Sequence, residues 1–261
     1  MSHPKTGTMA VRNLILHFVG LQRLYVPVIL DIAAVTKDHL AKEFHYGHVA
    51  YSERVGRLMR DRLKILIVRD PATTVVTLAK ALLDPRNPRP DQVFFQEKGA
   101  TVKDLIPWVV SGFSIGGIRT AAFAKSYEQF VLDWEGRADV IIDFDELVHA
   151  RRHMASSGES GQAAAFSELL GVEPPLDARE RYIAGLSPRQ SPTFMPPLAE
   201  DMQEDCLKLA SSLLSRYGIE RVLPTWHPPE TPKTEIGPLE TRDLSPGFAA
   251  PGPRKSNISL Q

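Results

Sequence analysis

Cysteine occurs once in the 261 residues, at Cys206, so an internal disulfide is excluded. A single thiol fits a reducing compartment and reads as a helix-packing residue rather than a nucleophile. Neither sign of charge is in excess: 31 basic residues face 31 acidic ones. The chain therefore lacks the overall field that draws in nucleic acid or anionic lipid, and any anionic ligand must be held by a local cluster. No apolar run approaches membrane-spanning length, and the N-terminus lacks the plan of a signal peptide. A soluble, cytoplasmic protein is expected. The Walker pattern, Gly-x-x-x-x-Gly-Lys followed by Ser or Thr, is missing too, which counts against a P-loop kinase or nucleotidase. Internal repeats are absent.

What is present begins at once. Pro4-Lys5-Thr6-Gly7-Thr8 places a lysine, a glycine and two hydroxyls within five residues, and an apolar helix-competent run follows over 9–19. A turn feeding a helix N-terminus offers free N–H groups and the positive end of the dipole, and lysine adds a mobile charge. Only three residues precede Pro4, so the strand expected before such a loop lies ahead of this start, is truncated, or is lacking from the sheet.

Further along, Lys64–Val68 reads Lys-Ile-Leu-Ile-Val, with no polar alternation, as a strand buried on both faces does. Asp70-Pro71 then opens a helix, Asp as cap and Pro at the first turn, running to Leu82. Residues 50–61 read as helical, with Val55, Leu58 and Met59 on one face. Residues 25–32 form a short apolar run of undecided form. The stretch 84–104 reads as loop, and 105–118, apolar with glycines, is left unassigned. A helix is expected from Ser126, as its cap, to Trp134, and a second buried strand over Val140–Phe144, leading into Asp145-Glu146-Leu147. Phe166–Leu170 closes a short helix at Gly171, and 198–217 forms an amphipathic helix stopped by Gly218. From 223 to 261 the chain is dense in Pro and Gly, and a disordered tail is expected behind a domain over 1–222. Strand–loop–helix units in series point to an α/β fold with a central parallel sheet flanked by helices, its ligands at the carboxyl ends of the strands.

Two groupings carry chemistry. Arg69 ends a strand, and Thr77 lies two helical turns beyond the cap, so a guanidinium and a hydroxyl converge as a phosphate requires. The plainer alternative is an Arg paired with Asp70 or another carboxylate beside a surface Thr. His45 and His48, in His-Tyr-Gly-His-Val, include the side chain best suited to take a proton at neutral pH. They lack neighbours spaced as metal ligands.

In this order (Pro-Lys-Thr-Gly-Thr, Gly-His-Val, then a strand entering Arg-Asp-Pro with a hydroxyl eight residues after the Arg) the motifs resemble the sulfotransferases that use 3′-phosphoadenosine 5′-phosphosulfate (PAPS). Val140–Leu147 resembles the family's Tyr-Glu-Asp-Leu segment, and the likeness covers roughly residues 3–175. The resemblance implies a P-loop NTPase-like sulfotransferase fold. It also implies PAPS as co-substrate without a metal, and an alcohol, phenol or amine acceptor on a small molecule, lipid or carbohydrate. Lys5, Thr6, Gly7 and Thr8 would then form the 5′-phosphosulfate loop, with Lys5 also stabilising the leaving phosphate. Arg69 and Thr77 would hold the 3′-phosphate, and His48, in preference to His45, would be the base.

Three departures stand out. The loop continues Thr8-Met9-Ala10 where the family usually has Thr-Thr-Trp, so Phe194 or Tyr182 is the candidate to cover the adenine. The family's Arg-Lys-Gly is absent, leaving Arg181 or Arg189 as candidate substitutes. Phe94, Phe95, Trp108 and Phe113 are candidates for an acceptor pocket or for ordinary packing. A non-catalytic, nucleotide-binding relative of the same fold, acting as an interaction protein, is the alternative reading.

Overall fold

The computed structural model describes residues 3–19, 28–29, 46–86, 90–187 and 197–219. Contacts divide the chain into units Met1–Trp226 and His227–Gln261, and every described residue belongs to the first. His45, Arg189, Phe194 and the tail from 223 lie outside the described residues.

The chain opens with α1 (Thr8–Val19), followed by β1 (Val28–Ile29), β2 (Tyr46–Gly47), α2 (Glu53–Leu58), β3 (Ile65–Val68) and α3 (Pro71–Ala81). Next come α4 (Pro90–Glu97), α5 (Val102–Ser111), β4 (Phe113–Ile115), β5 (Ile118–Thr120) and α6 (Phe123–Tyr127). A π turn (Glu128–Leu132) runs straight into α7 (Asp133–Glu135), and β6 (Val140–Asp143) follows. Four helices close the described chain: α8 (Phe144–Ser157), α9 (Gly161–Leu169), α10 (Ala178–Gly185) and α11 (Glu200–Ser215).

The fold is α/β. β3 and β6 pair in parallel at its centre, in register from Ile65 opposite Val140 to Val68 opposite Asp143. The apolar run of β3 has the dual burial its composition requires. Leu66 and Val68 enter a core with α3, α5 and α11, whereas Ile67 joins Ile142 in a second core with α1, α8, α9 and α10. β1 and β2 form another parallel pair, and β4 and β5 an antiparallel one. On the second side α1 buries Val11, Leu14, Ile15 and Phe18, each worth about 1.5–3 kcal/mol by transfer. Gly185 lets the α10 backbone close on Leu14, where a Cβ would stand 2.7 Å from the Leu14 Cα.

Local signals hold where they are strongest. The Asp70 carboxylate accepts from the Thr73 N–H at 2.8 Å, with Pro71 in the first turn of α3. Gly171 and Gly218 stand at φ 66° and 68°, just past helix ends. Cys206 is buried in α11, where desolvation raises its pKa.

Four expectations need correction. The expected loop over 84–104 contains α4 and the entrance to α5. There, Thr101 and Asp104 form a reciprocal capping box that the prolines of the segment obscured. Ser126 is not a cap: α6 begins at Phe123, and Ser126 lies inside it. Phe144 starts α8 instead of ending β6, because the Asp143 carboxylate accepts from the N–H groups of Asp145 and Glu146 and caps the helix earlier. The helix expected over 50–61 is the shorter α2.

Candidate active site

The carboxyl ends of β3 and β6 are adjacent, so Arg69 and Asp70 leave the sheet beside Phe144 and Asp145. The loop before α1 comes to this same edge. Its Gly7, at φ 93°, could carry no side chain, because a Cβ there would run into the Phe144 ring. Lys5 also adopts a left-handed conformation, φ 68°, which costs a non-glycine residue about 1 kcal/mol.

Internal bonds hold the loop in that shape. The Thr6 hydroxyl donates to the His3 carbonyl at 2.7 Å, and the Thr6 N–H reaches the same oxygen at 3.4 Å. The Gly7 carbonyl accepts from the Val11 N–H at 3.0 Å, opening the helical ladder of α1. Thr8 is the first helical residue and is buried.

His3 anchors the loop from below. Its ring is buried edge-on against Phe123 and Phe130, with centroids 5.0 and 6.0 Å away. Burial lowers its pKa from 6.5 to about 4, so the ring is neutral at pH 7. Nδ1 lies 2.9 Å from the Pro4 carbonyl, which can only accept, so Nδ1 carries the proton. Nε2 then accepts from the Ser126 hydroxyl at 2.9 Å.

Lys5 is largely enclosed. Burial lowers its pKa, Asp84 opposes that shift and Arg86 adds to it. Asp84 and Arg86 form a fork, Nε to Oδ1 at 2.8 Å and Nη2 to Oδ2 at 2.6 Å, which takes the Asp84 carboxyl down to about 2. The turn following α3 is thereby brought into the electrostatic field of the loop lysine.

Arg69 is the centre of the second cluster. Its Nε donates to Asp145 Oδ1 and Oδ2 at 3.0 and 3.2 Å, and its Nη1 reaches Thr77 Oγ1 at 3.4 Å. Thr77 in turn donates to the Thr73 carbonyl at 2.8 Å. The guanidinium carbon sits 5.3 Å from the centroid of the Phe144 ring. One ring therefore contacts both the loop glycine and the arginine. One turn along α3, Lys80 has its pKa lowered by burial first and by the Arg69 charge second.

His48 follows β2 and is half-buried. It lies close enough to His3 for its charge to disfavour protonation there. The neighbouring Val49 carbonyl accepts from the Trp134 indole N–H at 2.7 Å, deep in the core. The Tyr51 N–H donates to the Gln129 carbonyl at 3.3 Å.

The structure thus gathers Lys5, Thr6, Gly7 and Thr8 on one loop, links that loop to Arg69 and Thr77 through Phe144, and sets His48 within electrostatic range of His3. Two suggested substitutes fall elsewhere. Arg181 is held by Asp177 at 2.7 Å and by the His17 carbonyl at 3.0 Å, at the far end of α1 from the loop. Tyr182 is buried among Phe18 and Phe166, where it can cover no base, and burial pushes its hydroxyl pKa up. Phe94, Trp108 and Phe113 surround Phe95 edge-on, with ring centroids 5.5, 5.7 and 5.5 Å from it.

Sequence reasoning missed His3, Lys80, Asp84, Arg86 and the linking role of Phe144. His3 directly precedes the loop motif, a signal that was available. The others come to the site only through tertiary contact. Among the described residues, no group of three or more His, Cys, Asp or Glu side chains could hold a metal ion. No described helix is long and apolar enough to cross a membrane.

No family model matches the chain, and no curated protein matches it. Among solved structures, the chain is similar to the crystal structure of mouse sulfotransferase SULT7A1 complexed with PAP. The TM-score is 0.44 at 16% identity, over 77% of this chain and 66% of the mouse one. The likeness thus spans about two thirds of the mouse protein's length.

Proposed function

We propose that the chain is a PAPS-dependent sulfotransferase that places a sulfuryl group on a hydroxyl or amine of a small-molecule, lipid or carbohydrate acceptor. The observation that carries this reading is the Phe144 ring, which contacts Gly7 of the Lys5 loop and lies under the Arg69 guanidinium. Two donor clusters that are far apart in sequence meet at one strand edge, as a ligand with phosphates at two positions requires.

On this reading, the N–H groups and the Thr8 hydroxyl at the start of α1 hold the 5′ end of the nucleotide, with Lys5 beside them. Thr6, whose hydroxyl is committed to His3, keeps the loop in shape. Arg69 takes the 3′-phosphate together with Thr77, whose hydroxyl turns from the Thr73 carbonyl to donate to it, and Lys80 adds charge nearby. His48 accepts the acceptor's proton as its oxygen or nitrogen bonds to sulfur. The sulfur–oxygen bond to the phosphate breaks, and Lys5 stabilises the charge left on that oxygen. Enclosure of Lys5 strengthens its attraction to the departing anion.

A second reading has its own support. Asp145 already occupies the Nε edge of Arg69 and competes with a phosphate for it, which suits a non-catalytic, nucleotide-binding relative of the same fold acting as an interaction protein.

Calorimetric titration with 3′-phosphoadenosine 5′-phosphate (PAP) decides whether the nucleotide site exists, and one site of micromolar or better affinity is expected. Heats indistinguishable from dilution sink the sulfotransferase reading. Binding without transfer from PAPS to a panel of phenols, alcohols, amines and sugars establishes the second.

A further inference from the structure

The segment from α6 through the π turn to α7 touches both halves of the site and belongs to neither. At its first end, Ser126 bonds the His3 ring, which carries the Lys5 loop. At its other end, Trp134 Nε1–H donates to the Val49 carbonyl, one residue beyond His48, at 2.7 Å. Between them, the Gln129 carbonyl accepts from the Tyr51 N–H, and the Phe130 ring meets His3 edge-on. The Tyr51 ring packs edge-on against Trp134 at 5.2 Å, with the Arg137 guanidinium 4.3 Å from its centroid. Glu128–Leu132 is a π turn, a rare backbone form that occurs mostly as single turns inside α-helices and frequently at functional sites.

A helix of ordinary pitch over these residues would turn each later side chain relative to the earlier ones. The widened turn changes the phase between Ser126 and Trp134, and both then find their partners. We propose that this segment is a brace that sets the position of His48 against the Lys5 loop, with Trp134 as the positioning residue. The inference rests on His48 acting as the base. Trp134 does not touch substrate. It holds the carbonyl next to the base, and the same continuous segment holds the loop, so the distance between proton acceptor and anion site is set through one element. A displacement of about 1 Å at a reacting group can cost on the order of 100-fold in rate, which makes one buried hydrogen bond at this place consequential.

The test uses the full-length Trp134→Phe protein, which keeps an aromatic ring in the core and deletes the indole N–H. Active sites are counted by PAP binding, so that any unfolded fraction drops out. The expected result is a fall in kcat per PAP site of at least about tenfold, with the PAP dissociation constant within twofold of wild type. Ser126→Ala, which loosens the other end, should lower kcat in the same way. In parallel, the histidine ring carbons are followed by NMR, with the His48 signal assigned by its loss in His48→Asn. It should shift or broaden in Trp134→Phe. An unchanged kcat, or a kcat loss with an unmoved His48 signal, overturns the brace. If the wild-type protein binds PAP but transfers nothing, the catalytic reading fails, and the NMR arm alone then judges whether Trp134 positions His48.

Discussion

Phe144 fills the space that any side chain at position 7 would need, and Gly7 has a φ of 93° that side chains avoid. Gly7→Ala therefore meets steric overlap and backbone strain together. It should destabilise the protein by roughly 2 kcal/mol or more, seen as a lower midpoint in urea, and should abolish PAP binding in calorimetry. Retention of both stability and binding contradicts the packing of loop against ring.

Lys5 presents the opposite case. Its φ of 68° is strained, and burial works against its charge. Lys5→Asn keeps a residue tolerant of that backbone and removes the enclosed ammonium. The melting temperature should hold or rise, by up to about 1 kcal/mol in stability. Transfer should fall by on the order of 3 kcal/mol, roughly 100-fold. Differential scanning fluorimetry beside initial-rate measurement checks both signs, and a variant that loses stability without losing activity speaks against this role.

The buried His3 makes stability depend on pH. Its folded pKa is about 4, below the 6.5 of the unfolded chain, so between these values the unfolded state binds the extra proton. The contribution is fully present above pH 6.5 and is lost as pH falls through about 4. Its size is on the order of 3 kcal/mol over that window. Urea unfolding at pH 7.5, 5.5 and 4.5 should show this slope, and His3→Gln should flatten it. An equal slope in both proteins assigns the acid sensitivity elsewhere.

Thr77 donates to the Thr73 carbonyl and receives Arg69 at 3.4 Å, a long bond that leaves room to tighten on a phosphate. Thr77→Val keeps the shape and removes the hydroxyl. Affinity for PAP should drop about tenfold, while affinity for adenosine 5′-phosphate, which has no 3′-phosphate, should not change. Equal losses for both nucleotides place the hydroxyl away from the 3′ end.

Much of the fold was legible because its signals are local. The apolar run before Arg69 reads as a doubly buried strand, and Leu66 and Ile67 do enter opposite cores. Asp70-Pro71 caps a helix within one turn, whatever the rest of the chain does. The 84–104 segment reads as loop for a related reason: its prolines outweigh the Thr101–Asp104 box, which is equally local. At the candidate site, the loop motif and the Arg69–Thr77 spacing were visible. A carboxylate on Arg69 was foreseeable as the plainer alternative; that it is Asp145, 76 positions away, was not, since this follows from the register of β3 on β6.

Sequence alone determined which short segments would become strands, helix caps and a lysine-bearing turn, because those choices depend on the torsional preferences and hydrogen-bonding groups of a few adjacent residues. Tertiary structure decided that His3 would be sealed against Ser126 across 123 positions, that Phe144 would join Gly7 to Arg69, and that a π turn would hold the His48 segment. These outcomes depend on how helices pack on the two faces of one parallel strand pair. Desolvation and contact then act between groups that no local rule brings together.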